Sequence, residues 1–373
     1  MTITRYIARN IKNDLVLKMV LIGGPRQVGK THLAKTFTQK EEQYLNWDDL
    51  ADRDLLKKHQ INPNLKTVVL DEIHKYVRWR MLLKGLFDKY KGKLKILVTG
   101  SAKLDHFRKG GDSLAGRFHY YRLHPLSLKE VDASFNRETT LKLLSFGGFP
   151  EPFLTQDETE LRRWRRERLS RVVYQDVMDL GTVKELSKIE LLVDLLPSKI
   201  ASVLSYNSIA EDLEVSPNTI HKWVDALDLI YYCYRVLPYG PAKVRAVKKS
   251  HKLYLWDWSE IENVGARFEN MVASHLLKLC HFLEDTQGHK MELRFLRNVD
   301  LKEIDFVVLK NNKPLFAVEC KTGDKAISKH IYYYRDRLTI PVYYQVHLGQ
   351  TSYCDGNIFV LPFEEFCKKE NIP

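Results

Sequence analysis

Paired cysteines are missing from this chain of 373 residues. Its cysteines, Cys233, Cys280, Cys320, Cys354 and Cys367, are scattered and form no C-x-x-C pair. That argues against a zinc knuckle and fits reduced thiols in a cytoplasmic protein. Long apolar runs are missing too. No stretch approaches the roughly 20 residues of a membrane span, so no membrane partner is expected. The start is charged (Arg5, Arg9, Lys12, Asp14) and the first apolar run is broken by Lys18, unlike a secretory signal. There are no internal repeats and no low-complexity segment. Acidic residues are in deficit, 47 against 59 basic ones, for a formal net charge of +12. Such an excess fits a lysine-rich solvated surface or attraction to a polyanion, and only localised clusters distinguish the two.

What the chain does have is a 44% apolar fraction, enough for substantial cores, and length for two or three domains. Its most informative stretch is Gly24-x-x-x-x-Gly29-Lys30-Thr31, the full phosphate-loop pattern. An apolar run ending at Ile22 precedes it and a helix-favouring Leu33–Ala34–Lys35 follows, the context the pattern requires. Gly24, Pro25, Arg26, Gln27, Val28, Gly29, Lys30 and Thr31 are therefore the expected ATP-binding loop. Lys30 would reach the β- and γ-phosphates and Thr31 would ligate Mg²⁺. Pro25 has no N–H to donate, and Arg26 faces either phosphate or solvent.

A second element follows. Thr67–Leu70 is an apolar strand ending in Asp71 and Glu72. Asp71 would hold the Mg²⁺ shell and Glu72 would act as general base on the attacking water. A third strand, Lys95–Thr99, leads to Ser101, whose hydroxyl can sense the γ-phosphate. Arg117 is either an arginine finger for a neighbouring subunit in a homo-oligomer or a surface salt bridge.

Residues 1–150 alternate strands with helices, as a parallel α/β sheet requires. Strands are expected at Leu15–Ile22, Tyr44–Trp47, Thr67–Leu70, Lys95–Thr99 and Tyr120–Leu123, with a helix at Trp79–Tyr90. The glycine- and proline-bearing Gly147–Leu154 reads as a boundary. Residues 151–262 read mainly helical: a basic helix over 158–180, a helix over 189–204, then two short helices, 208–213 and 216–229, at helix-turn-helix spacing, with Ser216 as N-cap and Pro217 at the first turn. A ribbon, 230–236 and 244–255, would supply a wing bearing Lys243, Arg245, Lys248 and Lys249. Residues 263–373 read as a third, α/β domain.

In that last domain Asp305 and Glu319-Cys320-Lys321 lie on neighbouring strands. If Lys310 pairs with Pro314, Asp305 falls opposite Glu319, with Cβ atoms about 5 Å apart. Two carboxylates and the Cys320 carbonyl suit Mg²⁺ or Mn²⁺, and Lys321 would orient or activate a water. Glu269, on the preceding helix, would add a ligand. The alternative is an ordinary strand pair with exposed charges.

These motifs carry a resemblance. GGPRQVGKT, VVLDEIHK, LVTGSA, SLAGRFHYYRLHPLSLKE and GGFPEPFL, with RFENMVASHLL and EIDFVVL…AVECKTG, resemble a prokaryotic group of AAA+-type ATPases with a winged-helix segment and a carboxyl-terminal restriction-endonuclease-like domain of PD-(D/E)xK type. The fold class this implies is α/β: a P-loop NTPase parallel sheet, then a mostly helical winged-helix domain, then a small α/β restriction-endonuclease-like domain. By the resemblance Lys30, Thr31, Asp71 and Glu72 form the ATP site, and Asp305, Glu319 and Lys321 take the PD-(D/E)xK positions with Glu269 as the helix acid. The expected function is an ATP-binding and ATP-hydrolysing, DNA-associated protein. Its rivals are a nucleotide-controlled switch or docking protein without nuclease activity, and a Mg²⁺-dependent nuclease regulated by ATP. Arg162, Arg165 and Arg166 on the basic helix, and Asn218, His221 and Lys222 on the second short helix, are the candidate DNA contacts. Winged helices also dock proteins, so that alternative stands.

Overall fold

The computed structural model describes residues 3–40, 43–62, 64–100, 114, 116–178, 185–240 and 251–373. Ser101 and the basic residues Lys243, Arg245, Lys248 and Lys249 lie outside them. The chain divides into two compact units, Met1–His124 and Pro125–Pro373.

The first unit is built on five parallel strands: β1 (Met19–Gly23), β2 (Tyr44–Asn46), β3 (Thr67–Asp71), β4 (Lys95–Thr99) and β5 (Phe118–Arg122), in the order β2-β3-β4-β1-β5. A parallel sheet covered on both faces wants continuous apolar strands, and β1 is buried at every residue. The expected strand from Leu15 starts four residues too early. Val16 and Leu17 are exposed in the turn after the helix Ala8–Asp14, so their apolarity is not a core signal. The helix Trp79–Tyr90 forms as expected, burying Trp79, Leu82, Leu83, Leu86 and Tyr90. The switch in strand order puts the β1, β3 and β4 carboxyl ends side by side, where α/β sheets hold ligands.

The second unit begins well before the boundary expected at 150. Gly147 and Gly148 are not a linker but close-packing positions. A Cβ on Gly147 would stand 2.7 Å from Asp257 Oδ1, and one on Gly148 2.8 Å from the Leu126 carbonyl oxygen. Pro150 opens the helix Pro150–Thr155. The basic helix is Glu158–Arg171, continuing as a wider turn, Val172–Val177. The expected helix over 189–204 is instead Leu186–Leu195 and a tight turn, Leu196–Lys199, with Pro197 in its first turn. Helices Tyr206–Asp212 and Pro217–Leu229 follow, the second capped by Ser216 Oγ accepting from Thr219 N–H.

An eight-stranded sheet organises the rest: β6 (Cys233–Pro238), β7 (Lys252–Leu255), β8 (Met291–Arg297), β9 (Glu303–Lys310), β10 (Lys313–Lys321), β11 (Val342–His347), β12 (Tyr353–Asp355) and β13 (Ile358–Pro362), in the order β12-β13-β11-β10-β9-β8-β6-β7. The ribbon expected as a wing is thus part of the sheet expected to form a separate domain. β6 pairs antiparallel with β7 and parallel with β8, so no structural seam falls at 262. The helix Val264–Gln287 packs against this sheet and carries Glu269. Among the described residues no helix is long and apolar enough to cross a membrane.

Candidate functional site

The loop after β1 owes its shape to two glycines. Gly24 has φ +146° and lies so close to Leu123 that a Cβ would sit 2.3 Å from its carbonyl oxygen; Gly29 has φ +95°. Gln27, at φ 61°, also takes the left-handed conformation. Val28 is buried, and its carbonyl accepts from Arg5 Nη1 at 2.7 Å while Arg5 Nη2 reaches the His124 carbonyl. Arg5 is a loop-positioning residue that its sequence context, a charged amino terminus, does not reveal. Pro25 is buried and Arg26 half-exposed. Lys30 is buried, and its ammonium donates to the carbonyls of Gly24 at 2.8 Å and Pro25 at 2.6 Å.

Across from the loop, the end of β3 presents Asp71. Its Oδ2 accepts from Thr31 Oγ1 at 2.9 Å and from the Tyr44 hydroxyl, and its Oδ1 accepts from Thr99 Oγ1 and from the Glu72 N–H at 3.0 Å. The register β3–β4 sets Asp71 beside Thr99, and β2–β3 sets it beside Asn46. Tyr44 enters the cluster unforeseen, since β-strand aromatics read as core. Burial first, then Asp71, pushes its phenol well above the ordinary range. The Thr31 hydroxyl and Asp71 carboxylate form a hard-oxygen donor set, the kind that suits Mg²⁺.

Glu72 takes φ 54°, an uncommon conformation for this residue type that commonly marks function. Its Oε2 is buried without a hydrogen bond, with His74 Nε2 and Lys75 Nζ each 3.6 Å away. Burial raises its pKa, and Asp71 adds to this against the pull of Lys75 and Lys30. Arg117 is held elsewhere: its Nε and Nη2 donate to Asp88 at 3.0 and 3.3 Å, the surface pair foreseen as the alternative.

The second expected site also assembles, but not as foreseen. The hairpin turns on Asn311–Asn312, both with positive φ, so Lys310 pairs with Lys313 rather than Pro314. An irregularity between Pro314 and Phe316 restores the expected register, Val307 facing Ala317 and Phe306 facing Val318. Asp305 and Glu319 therefore approach as predicted. Asp305 Oδ2 accepts from the Cys320 N–H at 2.8 Å, and Lys321 Nζ donates to Glu319 Oε1 at 2.7 Å. Glu319 Oε2 is buried without a hydrogen bond.

The three carboxylates expected as metal ligands, Glu269, Asp305 and Glu319, lie in a cluster that also holds a lysine. Lys252, fully buried on β7, places its ammonium 3.0 Å from Glu269 Oε1, 2.5 Å from Glu303 Oε1 and 3.4 Å from Asp305 Oδ1. Tyr254 also donates to Glu269 Oε1 at 2.7 Å. Among the described residues no group of three or more His, Cys, Asp or Glu side chains is arranged to hold a metal ion. Burial, then Asp305, raises Glu269 to about 8, and the same causes raise Glu319 to about 7. Burial alone would depress the Lys252 pKa, but Glu269, Asp305 and Glu303 override it and keep the amine charged. Lys252 and Tyr254 were missed as wing residues. The available signal was a Lys-x-Tyr pair on one face of an otherwise apolar strand.

The basic helix offers no single arginine face. Arg162 pairs with Glu158 and Arg163 with Glu160; Arg165 donates to Ser259 Oγ at 3.2 Å; Arg166 is exposed. Arg168 is buried, 2.7 Å from Glu260 and stacked over Phe149. On the helix Pro217–Leu229, Asn218, His221 and Lys222 are exposed while Ile220, Trp223, Val224 and Leu227 pack inward, as expected. His221 stacks on Tyr206 with centroids 3.6 Å apart.

Comparison with known proteins divides the chain at similar places. Residues 17–132 match the AAA domain family, and residues 137–261 and 264–366 match two domains of unknown function, DUF8612 and DUF4143. An uncharacterized protein of Methanocaldococcus jannaschii is 26% identical over 83% of this chain and 78% of its own. One of Mycobacterium tuberculosis is 24% identical over 64% of this chain and 54% of its own. Among solved structures, the Thermotoga maritima RuvB Holliday junction branch migration motor (16% identity, 63% of this chain and 90% of that one) has a TM-score of 0.33. The Aeropyrum pernix ORC1 protein in complex with DNA (12% identity, 73% and 93%) has one of 0.35. Both scores are too low to carry anything across. The matched segment and the loop it contains agree: residues 17–132 match an AAA domain and carry the complete phosphate-loop pattern, which supports ATP binding.

Proposed function

We propose that the protein is an ATP-hydrolysing AAA-type switch that acts at DNA, its second unit serving as a non-cleaving module. The observation carrying the first part is the Asp71 carboxylate, bonded by the hydroxyls of Thr31 and Thr99 with Glu72 next in the chain. In this reading Lys30 exchanges its bonds to the Gly24 and Pro25 carbonyls for phosphate oxygens. Thr31 and Asp71 are the residues that would hold Mg²⁺, whose chemistry is to neutralise charge on the β- and γ-phosphates. Glu72, held at a left-handed backbone turn, takes a proton from the attacking water. Arg117, held by Asp88, is left out of this reading, which draws no cation from a neighbouring chain of a homo-oligomer.

The docking reading of the second unit is favoured over the nuclease reading because its acidic cluster is already ion-paired. DNA contact is assigned to Asn218 and Lys222 rather than to the arginine helix, whose charges are largely compensated within the unit. The test is ATP turnover with and without duplex DNA. Wild type should hydrolyse ATP, Lys30→Ala should neither bind nor hydrolyse it, and Glu72→Gln should bind normally but turn over roughly 10²–10⁴-fold more slowly. DNA binding at low salt should weaken in Lys222→Ala, with the salt slope falling by about 1. Absence of DNA binding at low salt would leave the ATPase intact and reassign the exposed helix to a protein partner.

A further inference from the structure

A carboxylate cage built for Mg²⁺ or Ca²⁺ sets its oxygens about 2.0–2.6 Å from the ion. Here the centre of the cluster is an ammonium. Its three N–H groups match three carboxylates from two elements: Glu269 from the helix Val264–Gln287, and Glu303 and Asp305 from β9. Lys252 is fully buried, so solvent does not compete for it. Its strand is pinned on one side by β6 and on the other by the bond from Leu204 N–H to the His251 carbonyl, 2.9 Å. The amine therefore arrives with the fold rather than by side-chain wandering.

We infer that the Lys252 ammonium is the resident cation of this cluster, standing where a divalent ion would join Glu269 to Asp305, and keeping such an ion out. The inference rests on the non-cleaving reading of the second unit and gives that reading a cause in one residue. It also explains the odd acid. Glu319 is the carboxylate Lys252 does not reach; Lys321 takes one of its oxygens and the other makes no hydrogen bond. Replacing Lys252 by methionine keeps an unbranched apolar stem but removes the charge. Glu269, Glu303 and Asp305 would then lack their central counter-ion, and a buried charge stripped of its partner is strongly unfavourable.

The experiment counts Mn²⁺ bound by the full chain without nucleotide, from the paramagnetic signal of free Mn²⁺. An Asp71→Asn background removes the carboxylate of the ATP site. With Lys252 present, no Mn²⁺ should bind. Lys252→Met should bind one per chain, and Lys252→Met with Asp305→Asn should bind none. Melting gives a second reading: Mn²⁺ at a hundredfold excess over its Kd should raise the melting temperature of Lys252→Met by roughly 5–10 °C and leave the Lys252 chain unmoved. Uptake by the Lys252 chain that Asp305→Asn abolishes would overturn the inference, as would a folded Lys252→Met that takes up none. If Lys252→Met does not fold, the Lys252 chain decides by the same two outcomes. ATP turnover by wild type is read separately, so failure of the ATPase assignment and failure of this one look different.

Discussion

Acid should loosen the second unit through His275. This residue lies on the helix Val264–Gln287, 2% exposed. Its Nε2 accepts the Leu128 N–H at 3.2 Å and its Nδ1 donates to the Met271 carbonyl at 2.8 Å. One nitrogen accepts and the other donates, so the ring is neutral. A second proton would turn the acceptor into a donor facing a donor. Burial, and then the nearby Lys278, lower its pKa to about 4, against the pull of the Met271 bond and Glu130. An unfolded histidine titrates near 6.5. Between those values the unfolded chain binds a proton that the folded chain refuses, so this contribution is intact above about pH 6.5 and is lost as pH falls toward 4. The loss is about 2 kcal/mol by pH 5 and saturates at about 3 kcal/mol below pH 4. The assay is urea unfolding of wild type and His275→Gln at pH 8 and pH 5, followed by tryptophan emission; Trp164, Trp223, Trp256 and Trp258 report on this unit. The variant is less stable at pH 8, and the gap should close by about 2 kcal/mol at pH 5. A gap equal at both pH values would refute the argument.

Gly24→Ala should fold poorly in the loop and lose nucleotide binding, because the added methyl meets the Leu123 carbonyl at 2.3 Å and φ is +146°; isothermal titration with ATP checks it. Arg117→Ala should leave steady-state hydrolysis within about twofold, since that guanidinium is committed to Asp88; a large loss that deepens on dilution of the protein would restore the arginine-finger role. Arg5→Met should weaken ATP binding without touching phosphate, by freeing the Val28 carbonyl, and a wild-type affinity would exclude that positioning role.

The ATP loop was legible because its determinants are local. Gly24 to Thr31 are consecutive, and the strand leading into them is buried at every residue, the mark of a doubly covered parallel sheet. The pairing of Asp305 with Glu319 was also readable, since alternation along two adjacent strands dictates it even though the turn itself was misjudged by one residue. Lys252 was readable as a polar interruption of an apolar strand, but its partners were not. Its partners lie 17, 51 and 53 positions away, and nothing in a Lys-Leu-Tyr-Leu strand announces which element it will face. The same holds for Arg168 on the basic helix, whose partner Glu260 lies 92 positions away. Gly147 and Gly148 misled for a different reason: the residue that permits a linker to bend also permits two backbones to touch, and only packing tells which.

The parallel pairing of β6 with β8 has a consequence for how this chain can be taken apart. Sequence families separate at 261 and 264, and that gap invites a cut. A fragment ending there would keep β6 and β7 but expose a bare strand edge, an aggregation hazard, and would carry Lys252 with no carboxylate to meet it. The complementary fragment would retain the acids without their cation. Recombining these two segments among relatives should therefore succeed only when the ribbon travels with the sheet it completes.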